Sequence, residues 1–109
     1  MISTSKPLEL LYMDLFGPSR IKIFKGNYYA FVIVDDYSRF TWTFFLTLRS
    51  IAFKAFKKFV KMIQNEKDLK IKVLRSDHGR EFQNKLFDNF CEENGIMHNF
   101  SAFRTPQQN

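Results

Sequence analysis

The feature that most constrains this chain is a change of hydrophobic period near Ser50. Before it, apolar residues alternate with a period of two, as half-buried strands require; after it, Phe53, Phe56, Phe59, Val60 and Ile63 recur at about 100° per residue, one face of a helix. In the first stretch Leu8, Leu10, Tyr12, Asp14 and Phe16 share one face of a strand that Pro7 precedes and that the Gly17-Pro18 pair is expected to end. A second strand is predicted over 28–35, after the Gly26-Asn27 turn. Asp36-Tyr37-Ser38-Arg39 then turns the chain into a third strand over 40–48, rich in aromatic and β-branched residues. Short connections of this kind make an antiparallel meander.

The helix that follows is expected to take Ser50 as its N-cap. A buried strand is predicted over 71–76. A second helix, capped by Asn84 and stopped by Gly95, should turn Leu86, Phe87, Phe90 and Cys91 inward, and a short last strand should run over 97–100. The order βββ-α-β-α-β implies an α/β fold with a mixed sheet, because a helical crossover can lay the fourth strand parallel to an earlier one. Nothing in 109 residues reads as a linker or a repeat, so a single domain over 1–109 is expected.

Composition narrows the class. With 45% hydrophobic and 17% aromatic residues the chain can bury a core, which excludes general disorder. Cys91 is the single cysteine, and with only His78 and His98 beside it no zinc-finger spacing is possible. No apolar run reaches the roughly 18 residues of a membrane helix, and the first residues lack a signal peptide's apolar segment, so an intracellular domain without a membrane partner is expected. The net charge of +6 is concentrated: residues 54–75 carry eight Lys/Arg against two acids. Lys54, Lys57, Lys58 and Lys61 occupy the polar face of the first helix, where they are either a solvated surface or a contact for nucleic acid.

Two carboxylates need a physical explanation. Asp14 lies on an apolar strand face with no basic residue within five positions, and an unpaired carboxylate there is costly. Asp77 directly follows the fourth strand, with Gly79 permitting a tight turn beside it. If the fourth strand neighbours the first, the two acids meet, and converging oxygen donors suit Mg²⁺ or Mn²⁺. Otherwise Asp14 ends a strand and Asp77 turns a loop.

Four segments in order, Leu8-Glu9-Leu10-Leu11-Tyr12-Met13-Asp14-Leu15-Phe16-Gly17-Pro18, Val34-Asp35-Asp36-Tyr37-Ser38-Arg39, Leu74-Arg75-Ser76-Asp77-His78-Gly79-Arg80-Glu81-Phe82 and Thr105-Pro106-Gln107-Gln108-Asn109, resemble the integrase core of Ty1/copia-type retrotransposon polyproteins, most like those of plants. The likeness runs from Lys6 to Asn109. It implies an RNase H-like fold, incomplete at its C-terminus, in which three acids hold two divalent ions for DNA strand transfer. Asp14 matches the first acid and Asp77 the second. The third, a glutamate, is expected a few residues beyond Asn109, so these residues alone are expected to be inactive, with part of the sheet left uncovered. The resemblance further implies DNA partners (element ends and target), possible homo-oligomers and a nuclear location.

Other candidates carry less. Glu81 matches a non-catalytic position of the family. Asp35 and Asp36 sit at a hairpin corner, where a carboxylate commonly caps the turn. His78 and Arg80 depart from residues frequent in the superfamily and are either substrate contacts or exposed loop residues. Phe103 stands where many relatives carry proline, and Cys91 reads as packed core. Two other readings stay open: a non-catalytic nucleic-acid-binding remnant, and another RNase H-like nuclease or transposase.

Overall fold

The computed structural model describes residues 4–20 and 26–100. Five strands, β1 (Leu10–Arg20), β2 (Asn27–Asp35), β3 (Thr41–Leu46), β4 (Val73–Ser76) and β5 (Met97–Phe100), form one sheet in the order β3-β2-β1-β4-β5. Helix α1 (Ala52–Lys67) connects β3 to β4, and α2 (Lys85–Glu93) connects β4 to β5. The meander is antiparallel, whereas β4 runs parallel to both β1 and β5. This is the mixed α/β arrangement that the order of periods implies.

Both helices pack on one face of the sheet. Leu11 and Met13 of β1, Phe31 and Ile33 of β2 and Leu74 of β4 meet Phe56, Phe59, Val60 and Ile63 of α1 and Phe87 and Cys91 of α2. Phenylalanines dominate this core: Phe31, Phe56, Phe59, Phe82 and Phe87 are fully buried, each contributing about 1.5–3 kcal/mol relative to an exposed side chain. The opposite face, with Tyr12, Asp14, Phe16, Val32, Val34, Thr43, Phe45 and Arg75, has no helix packed on it among the described elements. Phe16 and Phe45 are exposed there.

Several local expectations are corrected. β1 does not stop at Gly17-Pro18. It continues to Arg20 through a bulge, since Phe16 faces Ala30 while Ser19 faces Tyr28. Only glycine suits position 17: its φ is +129°, and an added Cβ would lie 2.9 Å from the Tyr28 carbonyl oxygen. Leu8 precedes β1 with φ 71° and enters the helix-side core, so it does not share the face of Asp14. Ser50 is not a cap; it lies in a 3₁₀ turn (Arg49–Ile51), and Ile51 stands at the N-cap of α1 without a side-chain bond. Leu86 points outward at 60% exposure.

The ends of α2 follow the sequence closely. Asn84 Oδ1 accepts from the Phe87 N–H at 3.0 Å, and Gly95 takes a left-handed conformation (φ 68°) as the chain leaves the helix. The Thr105–Asn109 motif and Phe103 lie outside the described residues.

Candidate metal centre

β1 and β4 are hydrogen-bonded neighbours in parallel register, Leu10 facing Val73, Leu11 facing Leu74 and Tyr12 facing Arg75. Tyr12–Arg75 is the last paired position and β4 ends at Ser76, so Asp14 and Asp77 both lie just past the paired stretch, at the same end of two neighbouring parallel strands. Period-two alternation puts Asp14, two positions after Tyr12 on β1, on the face opposite α1, and Asp77 follows the last residue of β4. Both residues are half-buried. A hollow of about 250 Å³ opens here, lined by Tyr12, Asp14, Phe16, Val32, Val34 and Arg75.

Each acid is held by its own backbone. The Leu15 N–H donates to Asp14 Oδ1 at 2.8 Å, and the Gly79 N–H donates to Asp77 Oδ1 at 3.0 Å. Gly79 sits close inside this turn: an added Cβ would meet the flexible end of the Glu81 side chain and come within 3.2 Å of Asp77 Oδ1. The turn is closed by the Gly79 carbonyl, which accepts from the Phe82 and Gln83 N–H groups at 3.0 and 2.8 Å. Phe82 then plugs the core, its ring centroid 5.8 Å from that of Phe31 and 5.7 Å from that of Phe87. The loop that carries Asp77 is therefore anchored by an apolar side chain four residues downstream of Gly79's neighbour His78.

Two oxygen donors from adjacent strands fit a hard divalent cation, which takes carboxylates at about 2.0–2.1 Å and retains water ligands. Among the described residues no group of three His, Cys, Asp or Glu side chains could hold a metal ion, so Glu81 does not complete a local set. Arg75 is a group the sequence reading passed over. Its guanidinium carbon lies 5.9 Å from the centre of the Tyr12 ring, and it shares the hollow with Asp14. The signal was available, because residues two apart on a strand share a face.

The remaining candidates separate in space. His78 is exposed, stacks on the Phe100 ring at 5.1 Å and lies 3.3 Å from Gln83 Oε1. Arg80 lines a different hollow, with Arg49, Phe53 and Leu86. Lys57, Lys58 and Lys61 line a cleft beside α1 that does not include Lys54, although all four are exposed. Asp35 does cap its turn, accepting from Ser38 N–H and Oγ–H at 3.1 and 2.6 Å, but it is also fully buried and accepts from the Leu8 N–H at 3.0 Å. Burial, with Asp88 nearby, pushes the Cys91 thiol up to about 11, as befits a packed residue rather than a nucleophile. His98 Nε2 pairs with Ser76 Oγ at 2.8 Å, and burial holds its pKa below the ordinary histidine value.

The fold is that of the RNase H-like class, and the comparisons narrow it. The sequence matches the integrase core domain family over residues 4–106, and the chain belongs to that family. It is 37% identical over 102 residues to the Retrovirus-related Pol polyprotein from transposon TNT 1-94 of Nicotiana tabacum, covering 94% of this chain and 8% of that polyprotein. It is 32% identical over 108 residues to that from transposon RE2 of Arabidopsis thaliana, covering 99% of this chain and 7% of the relative. The chain thus spans less than a tenth of the curated relatives' length. In structure it resembles the magnesium-bound catalytic core domain of HTLV-2 integrase, trimeric form (TM-score 0.72, 20% identity, 94% of this chain and 65% of that one). It also resembles a simian T-cell lymphotropic virus intasome chain (TM-score 0.73, 16% identity, 93% and 34%). At these identities the likeness concerns the fold. No helix among the described residues is long and apolar enough to cross a membrane.

Proposed function

We propose that residues 6–109 form part of an integrase catalytic core in which Asp14 and Asp77 hold divalent cations, Mg²⁺ or Mn²⁺, during the joining of element DNA ends to target DNA. The observation that carries this reading is the parallel β1–β4 register, which supports a meeting of the two acids despite their separation in sequence. Family membership and the magnesium bound by the HTLV-2 core point the same way. When bound, such ions supply Lewis acidity to the attacking and leaving oxygens of a phosphoryl transfer. The chain's own contribution is positioning. Backbone N–H groups from Leu15 and Gly79 fix the two carboxylates, and Phe82 ties the second to the core. DNA as partner, self-association and a nuclear site of action belong to the same proposal, by analogy with relatives.

The test is strand transfer of labelled DNA ends by the polyprotein's integrase carrying this segment. Asp14→Asn and Asp77→Asn should each abolish product, and Glu81→Gln should retain it. Undiminished transfer by either aspartate variant would remove the assignment.

A further inference from the structure

The largest concavity among those described is not at the carboxylates. It is a cleft of about 890 Å³ on the helical side of the sheet, beside the second half of α1. Six lysines line it: Lys6 from the segment before β1, Lys57, Lys58 and Lys61 from α1, and Lys70 and Lys72 from the connection into β4. Asp68 is the one acid in the lining, and Lys72 Nζ also lies 3.9 Å from Glu9 Oε2. The floor is apolar, with Val60, Leu69 and Phe90.

The cleft is built rather than accidental. Asp68 adopts a left-handed conformation at the end of α1, turning the chain back, and the Gln64 side chain accepts from the Ile71 N–H at 2.8 Å, pinning the connection to the helix. These contacts bring Lys70 and Lys72 to the α1 lysines. Edge-on contacts of the Phe90 ring with Phe53 and Phe56, at centroid distances of 5.9 and 5.7 Å, fix the floor.

We infer that this cleft is a second nucleic-acid surface, gripping a phosphodiester chain by charge, remote from the Asp14–Asp77 face. Lysines without arginine forks offer point charges on flexible stems, which suits a repeating anion better than one oriented carboxylate or phosphate. The apolar floor accommodates the lysine stems and a sugar or base surface. Lys72 precedes β4 and Asp77 follows it, so at about 3.3 Å per residue the two sites are roughly 16 Å apart along the strand and lie on opposite faces of the sheet. The inference does not rest on the catalytic reading.

The experiment measures binding of the 109-residue protein to labelled oligonucleotides, single-stranded and duplex, in EDTA across a salt series, so that divalent-ion chemistry plays no part. One variant combines Lys58→Gln, Lys61→Gln and Lys70→Gln, in the cleft. A charge-matched variant combines Lys54→Gln, Lys67→Gln and Lys85→Gln, outside it, and circular dichroism verifies that both are folded. In the cleft variant the slope of log affinity against log salt should fall by about 2 for a single strand or about 2.7 for a duplex, three contacts being lost; the form showing that loss is the ligand. The charge-matched variant should keep most of the slope. Equal losses in the two variants would show that net charge alone binds. Equally tight binding of a poly-glutamate of matched charge would overturn the assignment to a phosphodiester chain.

Discussion

Replacing each of the two adjacent aspartates at the β2–β3 corner by alanine should have unequal consequences. The Asp35 carboxylate is 1% exposed and receives three hydrogen bonds, from Leu8 N–H at 3.0 Å, Ser38 N–H at 3.1 Å and Ser38 Oγ–H at 2.6 Å. In Asp35→Ala the Leu8 N–H, in a fully buried residue, loses this acceptor at a cost of about 1–3 kcal/mol, and loss of the Ser38 bonds adds about 1–2 kcal/mol. The expected total is about 2–5 kcal/mol. Asp36 accepts from Thr4 Oγ–H at 2.9 Å and meets the 77%-exposed Arg39 side chain at 4.0 Å, so Asp36→Ala should cost less than about 1 kcal/mol. Urea denaturation followed by circular dichroism measures both. In a domain of this size the Asp35 variant should also melt roughly 8–40 °C lower. Equal losses, or a larger loss in Asp36→Ala, would refute the reasoning that Asp35 ties the approach to β1, and with it Asp14, to the hairpin.

Other outcomes are expected from the same geometry. His98 is half-buried with its pKa lowered, so the unfolded chain binds more protons; stability should be intact above about pH 6.5 and decline as pH falls below it. Urea midpoints at pH 7.5 and 5.5 should therefore differ more for the parent than for His98→Phe. Phe82→Ala should destabilise by about 3–5 kcal/mol by leaving a cavity beneath the Asp77 loop, measured by the same denaturation. Gly17→Ala should cost about 1–3 kcal/mol, because its φ of +129° and the nearby Tyr28 carbonyl oppose a side chain.

The parts of the fold legible in the sequence are those decided by local chemistry. Asn84 and Gly95 mark both ends of α2 because capping and a left-handed exit depend on residues within one turn. The meander was readable from its alternation and a parallel fourth strand from the crossover rule, but which strand it joins, β1, was left open because that choice depends on how the helix packs across the sheet. Gly17-Pro18 misled because a terminator signal is local, whereas pairing with β2 is not: β4 faces only Leu10 to Tyr12 of β1, so proline at a bulge beyond costs no bond on that edge. Ser50 misled because the 3₁₀ turn starts before it, shifting the α-helical start to Ala52. Asp14 stood out in the sequence as an acid on an apolar strand face, and Asp77 as an acid directly after a strand. Phe82 and the connection lysines did not, because their roles arise from packing across elements rather than from spacing along the chain, whereas the place of Arg75 follows from its position two residues before Asp77.

The most direct test of the central claim is Mn²⁺-induced relaxation of backbone amide signals in ¹⁵N-labelled protein. Metal held between Asp14 and Asp77 should first broaden the amides of Asp14, Leu15, Asp77, His78 and Gly79, and Asp77→Asn should remove that pattern while leaving the rest of the spectrum in place. Broadening centred on another set of acids, such as Glu92 and Glu93, or a pattern unchanged by Asp77→Asn, would contradict it.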